Sequence, residues 1–393
     1  MKNAALFRRF SALVLFVCTC VFLLPAVAEE FDPSLLIVDD SIADQSRVED
    51  MIDMMTLHEK VCQLFFVQPE QFSQIEQVSR YSKKLGRAIT RFPVGGIILF
   101  GRNITRKDIA GLNAGMQQAA LDAGGIGLFI GVDEEGGGVS RVASSLKLPE
   151  KQPAPGKTGS PDQAYESGRI IGSYLSEYGF NLDFAPVADV RSDVGNAEIT
   201  VRSYGSDPES VARMAVRFME GLRGNGVIPV LKHFPGHGAV SGNTHSGSGV
   251  SQKTLKEWRE TDFVPFIAGI EAGADVVMVS HQLAVAVDPD HPASLSAKVV
   301  GLLREELGFE GVIITDALRM DAVHDSYGTG EACVLALEAG ADMLLLPYNF
   351  TNAYESVMQA VKDGRLTEER IDESLLRILS LKERCGLLPS IPK

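Results

Sequence analysis

The chain predicts a parallel (β/α)8 barrel of the TIM type, an α/β fold made of one barrel. Three observations predict it. Eight short apolar, β-branched runs recur along the 393 residues, amphipathic stretches of helical period separate them, and many of the runs end in Asp, Lys or His. Alternating strand-period and helix-period segments are the pattern of a parallel sheet with helical crossovers. Polar groups collected at strand ends mark the functional face of such a barrel. A doubly wound open sheet is the alternative that the same alternation allows.

The elements follow in order. Lys2, Arg8 and Arg9 precede an apolar run, Ala12 to Leu24, which ends in Pro25-Ala26-Val27-Ala28. A basic region, a hydrophobic region and an A-x-A site make residues 1–28 a cleaved secretory signal peptide. The run is short for a membrane span, so the protein is expected to be exported, periplasmic or extracellular, with an uncleaved membrane anchor as the alternative. The residues before Cys18 and Cys20 lack the small side chain of a lipidation site. Residues 29–46 read as a loosely structured lead-in, and 47–393 as the barrel.

Val48 to Phe65 has helical apolar spacing, and Gln63 to Val67 turns into the first strand. Further strands are expected at Gly96–Phe100, Leu128–Asp133, Leu182–Val190, Val227–His233, Asp275–His281, Gly311–Asp316 and Asp342–Pro347. Helices are expected at Arg106–Ala123, Pro161–Tyr178, Pro208–Gly224, Thr254–Ala272, Ala297–Leu307 and Gly330–Ala339, and Asn352–Asp363 and Thr367–Glu383 close the chain. Ser160-Pro161 and Asp207-Pro208 are strong helix starts, because the first residue caps the free N–H groups and proline needs no N–H at the first helical position.

Composition removes several function classes. A formal net charge of −14 opposes binding to nucleic acid or anionic membrane. No Cys/His spacing suggests zinc, no glycine-rich phosphate loop opens a helix, and no serine nucleophile elbow is present. No cofactor is expected, and no protein partner can be inferred. Beyond the apolar leader the cysteines are Cys62, Cys333 and Cys385, an odd number that makes no complete disulfide framework.

The densest chemistry lies from Lys232 to His245, which holds three of the chain's seven histidines, with Lys232 and His233 where an apolar strand meets a glycine-rich loop. Other strand ends give Asp133-Glu134-Glu135, Asp183 and Asp189, His281, and Asp316. Charge at the end of an apolar strand costs desolvation unless partners or a polar ligand compensate it. Carboxylates and hydrogen-bonding groups converging on one barrel face suit a sugar. Glycoside cleavage needs a carboxylate at the oxocarbenium-like centre and a proton donor for the leaving oxygen. Asp316 is placed for the first role, and a histidine suits the second because its pKa lies near neutrality.

At this point a resemblance enters. Lys232-His-Phe-Pro-Gly-His-Gly with Asn243-Thr-His245 resembles the signature of glycoside hydrolase family 3, in its β-N-acetylglucosaminidase branch. Met55-Thr-Leu-His-Glu-Lys-Val-Cys-Gln-Leu-Phe, Gly95-Gly-Ile-Ile-Leu-Phe-Gly-Arg-Asn, Val132-Asp-Glu-Glu-Gly-Gly, Asp183-Phe-Ala-Pro-Val-Ala-Asp-Val, Arg202-Ser-Tyr-Gly and Gly311-Val-Ile-Ile-Thr-Asp-Ala-Leu-Arg-Met follow the family's order, from about Val48 to Leu388. The resemblance implies a single barrel and a retaining exo-β-N-acetylglucosaminidase, acting without metal or organic cofactor on a β-linked N-acetylglucosamine-containing glycan such as a cell-wall muropeptide or chitooligosaccharide. It implies that Asp316 attacks the anomeric carbon. His245 would be acid and then base, and Asp133, Arg202, Lys232 and His233 would hold the terminal sugar.

Two positions depart from the branch. Asn243 stands where an aspartate usually supports the histidine, and Gly138 where an arginine usually follows Glu-Gly-Gly. A sugar-binding homologue with impaired catalysis is the alternative that both departures motivate; a phosphorolytic enzyme is the one that a low-charge acid/base site motivates, and a β-glucosidase-like specificity is a further alternative.

Overall fold

In the computed structural model, the structure describes residues 40–192, 197–240 and 249–389. The barrel lies within Gln45–Lys393. Its strands are β1 Phe65–Val67, β2 Gly96–Ile98, β3 Phe129–Val132, β4 Leu182–Asp183, β5 Ile228–Phe234, β6 Val276–Val279, β7 Val312–Thr315 and β8 Leu344–Leu345. They pair in parallel in the order β7-β6-β5-β4-β3-β2-β1-β8. A parallel bridge between Ile314 and Met343 joins β7 to β8 and closes the ring. Every strand is buried along its length. That is why the strands read as continuous apolar runs rather than as alternating ones.

The barrel interior is filled by pairing large side chains with none. The Phe66 and Phe184 rings meet edge to face, 5.2 Å between centroids. A Cβ on Gly96 would lie 2.5 Å from the Phe66 ring, and one on Gly131 would lie 2.8 Å from it. Both glycines therefore make room for aromatic packing inside a closed ring.

Helices follow the strands on the outside. Pro161–Glu177 and Pro208–Arg223 begin at Ser160 and Asp207, whose side chains accept from the N–H groups of Gln163 and Ser210. Leu57–Gln63, ahead of β1, starts in a reciprocal cap between Thr56 and Glu59.

Several boundaries differ from the expectations. The run expected as one helix from Val48 is two, Asp40–Met54 and Leu57–Gln63, because the Thr56 cap starts a new helix. The first of these begins inside the lead-in, which was expected to be loose up to residue 46. The ladder of β4 stops at Asp183 instead of reaching Val190, since Pro186 brings no N–H to a ladder. The segment still follows β5: Ala185 and Pro186 carbonyls accept from the Val230 and Lys232 N–H groups. The helix expected over Thr254–Ala272 breaks into Leu255–Glu260 and Phe263–Glu271. At the break the buried Asp262 carboxylate draws both Thr261 Oγ1 and the Lys253 ammonium. The Ala297–Leu307 expectation becomes an α-turn, Ala297–Gly301, that widens into a π-helical turn at Leu302–Glu306. Cys62, Cys333 and Cys385 are free, the first two buried.

Candidate active site

A cavity of about 330 Å³ opens at the C-terminal ends of the strands. Asp133, Glu135, Arg202, Lys232, His233 and Asp316 line it. The structure thus brings together the five residues given site roles from the sequence, and with them Glu135, one of the strand-end carboxylates. His245 and Asn243, the two remaining candidates, lie outside the described residues.

The acidic side is built by β3 and the hairpin after it, Glu134–Gly136 paired with Val139–Ser140. In an extended chain, alternate side chains share a face. Asp133 and Glu135 line the cavity, while Glu134 is buried and bonds away from it. The hairpin turns through Gly136 and Gly137, with φ of +94° and +59°, which L side chains rarely adopt. A Cβ on Gly137 would also lie 2.5 Å from that of Ala154.

Opposite stand the cations. Lys232 Nζ lies 3.1 Å from Asp133 Oδ1 and 2.6 Å from Glu135 Oε1. Arg202 donates two parallel bonds to Glu135, at 2.8 and 2.7 Å, the forked geometry suited to a carboxylate. Burial alone would push the Glu135 carboxyl up, but Arg202 and Lys232 outweigh it and hold it far below the usual range. Burial likewise opposes the Lys232 charge, and Glu135 and Asp133 overcome it and raise its pKa. Glu135, Lys232 and Arg202 are therefore each held in the charged form by their neighbours.

His233 is fixed by Asp189 on the tail of β4. Its Nδ1–H donates to Asp189 Oδ2 at 2.7 Å, and its backbone N–H donates to Oδ1 at 3.2 Å. The backbone N–H of His237 gives Asp189 a third bond, at 2.6 Å. Asp189 is buried, which favours its neutral form, yet His233 and the other donors lower its pKa. Arg202 Nη2 lies 3.4 Å from the other ring nitrogen, Nε2. His237 also lines the cavity, and burial lowers its pKa to about 4, so it is neutral near pH 7.

Asp316 follows β7. Its Oδ1 accepts from the Ala317 N–H at 2.7 Å. Burial raises its pKa, but His281, His233, that N–H and Lys232 together bring it down to about 2. Among the described residues no lysine or arginine pairs with it within 4.0 Å. Asp316 is therefore an ionised carboxylate at a cavity wall, available to a ligand.

The structure also separates strand-end groups that the sequence could not. His281 is fully buried and does not line the cavity. Its Nε2–H donates to the Ala317 carbonyl at 3.0 Å and its Nδ1 accepts from Ser294 Oγ at 2.7 Å, which steadies the turn bearing Asp316. Asp183 is buried behind the hairpin, where it accepts from the Glu134 N–H at 2.9 Å. Burial and the nearby Glu134 raise its pKa well above the ordinary value.

Sequence reasoning gave no site role to Glu135, Asp189, Arg141 or Arg319. The period of two after Asp133 was the available signal for Glu135. Asp189 was visible as a strand-end acid, but its pairing with His233, 44 residues away, had no local signal. Arg141 and Arg319 line the cavity. Gly138 is exposed, and nothing lies within 4 Å of where its Cβ would be. Among the described residues no group of three or more His, Cys, Asp or Glu side chains is placed to hold a metal.

Comparison with known proteins places this geometry. Residues 56–381 match the family described as the glycosyl hydrolase family 3 N terminal domain. The chain is 34% identical over 306 residues to the beta-hexosaminidase LpqI of Mycobacterium tuberculosis, covering 75% of this chain and 77% of that protein. It is 36% identical over 261 residues to a beta-hexosaminidase of Stenotrophomonas maltophilia, covering 64% of this chain and 76% of that one. The fold is similar to a family 3 beta-N-acetylglucosaminidase structure from a Paenibacillus species, with a TM-score of 0.80 and 37% identity. That alignment covers 86% of this chain and 64% of the Paenibacillus chain.

Proposed function

The chain belongs to glycoside hydrolase family 3, and from that premise we propose that it is an exported, retaining exo-β-N-acetylglucosaminidase. It is a glycoside hydrolase with a single (β/α)8 barrel, and the names of its relatives support a β-N-acetylhexosaminide as the substrate. The observation that carries the proposal is the division of labour in the cavity. Asp133, Glu135, Lys232 and Arg202 pair with one another, while among the described residues no lysine or arginine lies within 4.0 Å of the ionised Asp316.

In this reading the matched cluster presents donors and acceptors to the hydroxyls of one terminal sugar. A cavity of 330 Å³ is near the lower end of ligand pockets, roughly 300–1,000 Å³, and suits one acylated ring. Asp316 attacks the anomeric carbon as the bond to the leaving oxygen breaks, forming a glycosyl-enzyme. His245 donates the proton to that oxygen and then takes one from the incoming water, so that the anomeric configuration is retained. Asn243 stands two residues before it in sequence and supplies no charge to favour the imidazolium. The leader 1–28 supports export and cleavage after Ala28, where β-linked N-acetylglucosamine occurs in cell-wall fragments and chitin oligomers.

The test is release of nitrophenol from the aryl N-acetyl-β-glucosaminide. Turnover by the wild type with none by Asp316→Ala supports the proposal, and no difference between them refutes it. A 30% identical relative from Cellulomonas fimi is a beta-N-acetylglucosaminidase/beta-glucosidase, which makes the aryl β-glucoside the first alternative substrate to assay.

A further inference from the structure

The cavity accommodates one sugar ring, so the ring on the other side of the scissile bond must lie outside it. Tyr348 is 63% exposed, an unusual state for a large aromatic side chain. Its ring is nonetheless oriented. It lies on the His324 imidazole with centroids 4.0 Å apart and planes 7° from parallel. His324 backs one face of the ring, and the residue as a whole stays exposed to solvent.

Both members of the stack are tied to the cavity wall. Leu345 and Leu346 line the cavity, and Tyr348 comes two residues later. Met320 also lines it, and its carbonyl accepts from the His324 N–H at 2.9 Å. Leu346 has φ +48°, a left-handed conformation that costs energy for a branched side chain and concentrates at functional sites. It is held there by its N–H bond to the Phe66 carbonyl at 2.8 Å. The Pro347 carbonyl in turn accepts from Gln71 Nε2. The two residues before Tyr348 are therefore both anchored, and the turn begins at the cavity.

We propose that Tyr348, backed by His324, is the stacking platform for the sugar on the leaving side of the bond. A pyranose presents C–H groups on one face, and these are attracted to the electron-rich face of a phenol ring. The inference rests on the glycosidase reading. It makes the protein an enzyme for oligosaccharides, with a specificity determinant outside the cavity.

The experiment compares wild type, Tyr348→Ala and Tyr348→Phe on two substrates. Di-N-acetylchitobiose has a leaving sugar, and N-acetyl-β-glucosaminyl fluoride has no leaving ring. Tyr348→Ala is expected to lose about tenfold in kcat/KM on the disaccharide and less than about twofold on the fluoride, with Tyr348→Phe close to wild type. Equal losses on both substrates, or no loss on the disaccharide, overturn the proposal. If the wild type turns over neither substrate, the glycosidase reading fails, and calorimetry still decides the platform. The proposal then requires chitobiose to bind more tightly than N-acetylglucosamine, with Tyr348→Ala abolishing the difference. Equal affinities in wild type, or a difference that survives the substitution, overturn it.

Discussion

Asp189 holds His233 by two atoms at once, the ring Nδ1–H at 2.7 Å and the backbone N–H at 3.2 Å. The carboxylate sets the ring's tautomer and its position together. Asp189→Asn keeps the shape but can turn an amide N–H toward Nδ1, which reverses the tautomer. The expected result is a fall of about 10²-fold in kcat/KM on the aryl glycoside, on the scale of a lost charge-assisted bond to a buried group. The thermal midpoint, measured alongside, separates this from a folding defect.

Asp316 is the second test. Substitution by glycine is expected to lower kcat by at least about 10³-fold. Azide added to that variant would occupy the vacated space and leave as the α-glycosyl azide, detectable by NMR. A β-product would exclude a retaining nucleophile at this position. The sign of the pH effect follows from the pKa near 2. The ionised form is present above that value, so loss of activity between pH 6 and 4 in the wild type must come from another group.

Glu135 bears on stability. It is buried between Arg202 and Lys232, and Glu135→Gln leaves two cations short of a partner. Removing one member of a buried ion cluster costs about 3–5 kcal/mol. Chemical denaturation should show a loss of that order, and a change below about 1 kcal/mol would show that the cations re-pair.

How much of this was legible beforehand depends on the distance over which each interaction acts. Strand runs such as Val276–Val279 and Val312–Thr315 were legible because their burial on both faces is written in consecutive residues. Lys232 and Asp316 were legible as polar ends of such runs. The tail of β4 was not, since Phe184 to Val190 is as apolar as a strand and only Pro186 hints that its pairing is irregular. Asp189 and Glu135 were visible as acids but not as partners, because His233, Arg202 and Lys232 come from other strands and loops. The Thr261-Asp262 break in the helix after β5 had no local signal, as the Asp262 carboxylate acts there through burial and Lys253.

Glu134 gives a pH prediction. Burial raises its pKa to about 7, against partial opposition from the Val142 N–H, Tyr174 hydroxyl and Ala143 N–H. The folded protein therefore holds a proton that the unfolded chain releases near pH 4.5. This stabilising contribution is complete below about pH 4.5 and is lost as pH rises through about 7. Glu134→Gln is expected to flatten the decline of unfolding free energy across that window, as read by urea titrations at pH 5 and 8. An unchanged slope would assign the decline to another acid, Asp183 being the nearest.

A gain is expected from substitution of Asn243. Asn243→Asp would place a carboxylate two residues from His245 and favour its protonated form. The expected outcome is a higher kcat on the aryl glycoside and a basic limb displaced to higher pH. A slower variant would show that His245 works with a different partner.

The internal pairing of the cavity charges also bears on inhibitor chemistry. A sugar mimic with a protonated ring nitrogen looks for a carboxylate not already held by lysine or arginine. Asp133 and Glu135 are held by Lys232, and Glu135 by Arg202 as well. Asp316 alone among the three cavity carboxylates offers a vacant ionic contact. Basic iminosugars with nitrogen at the anomeric position are therefore favoured over isomers that carry it elsewhere in the ring, and the cavity ranks such compounds by where their charge lies.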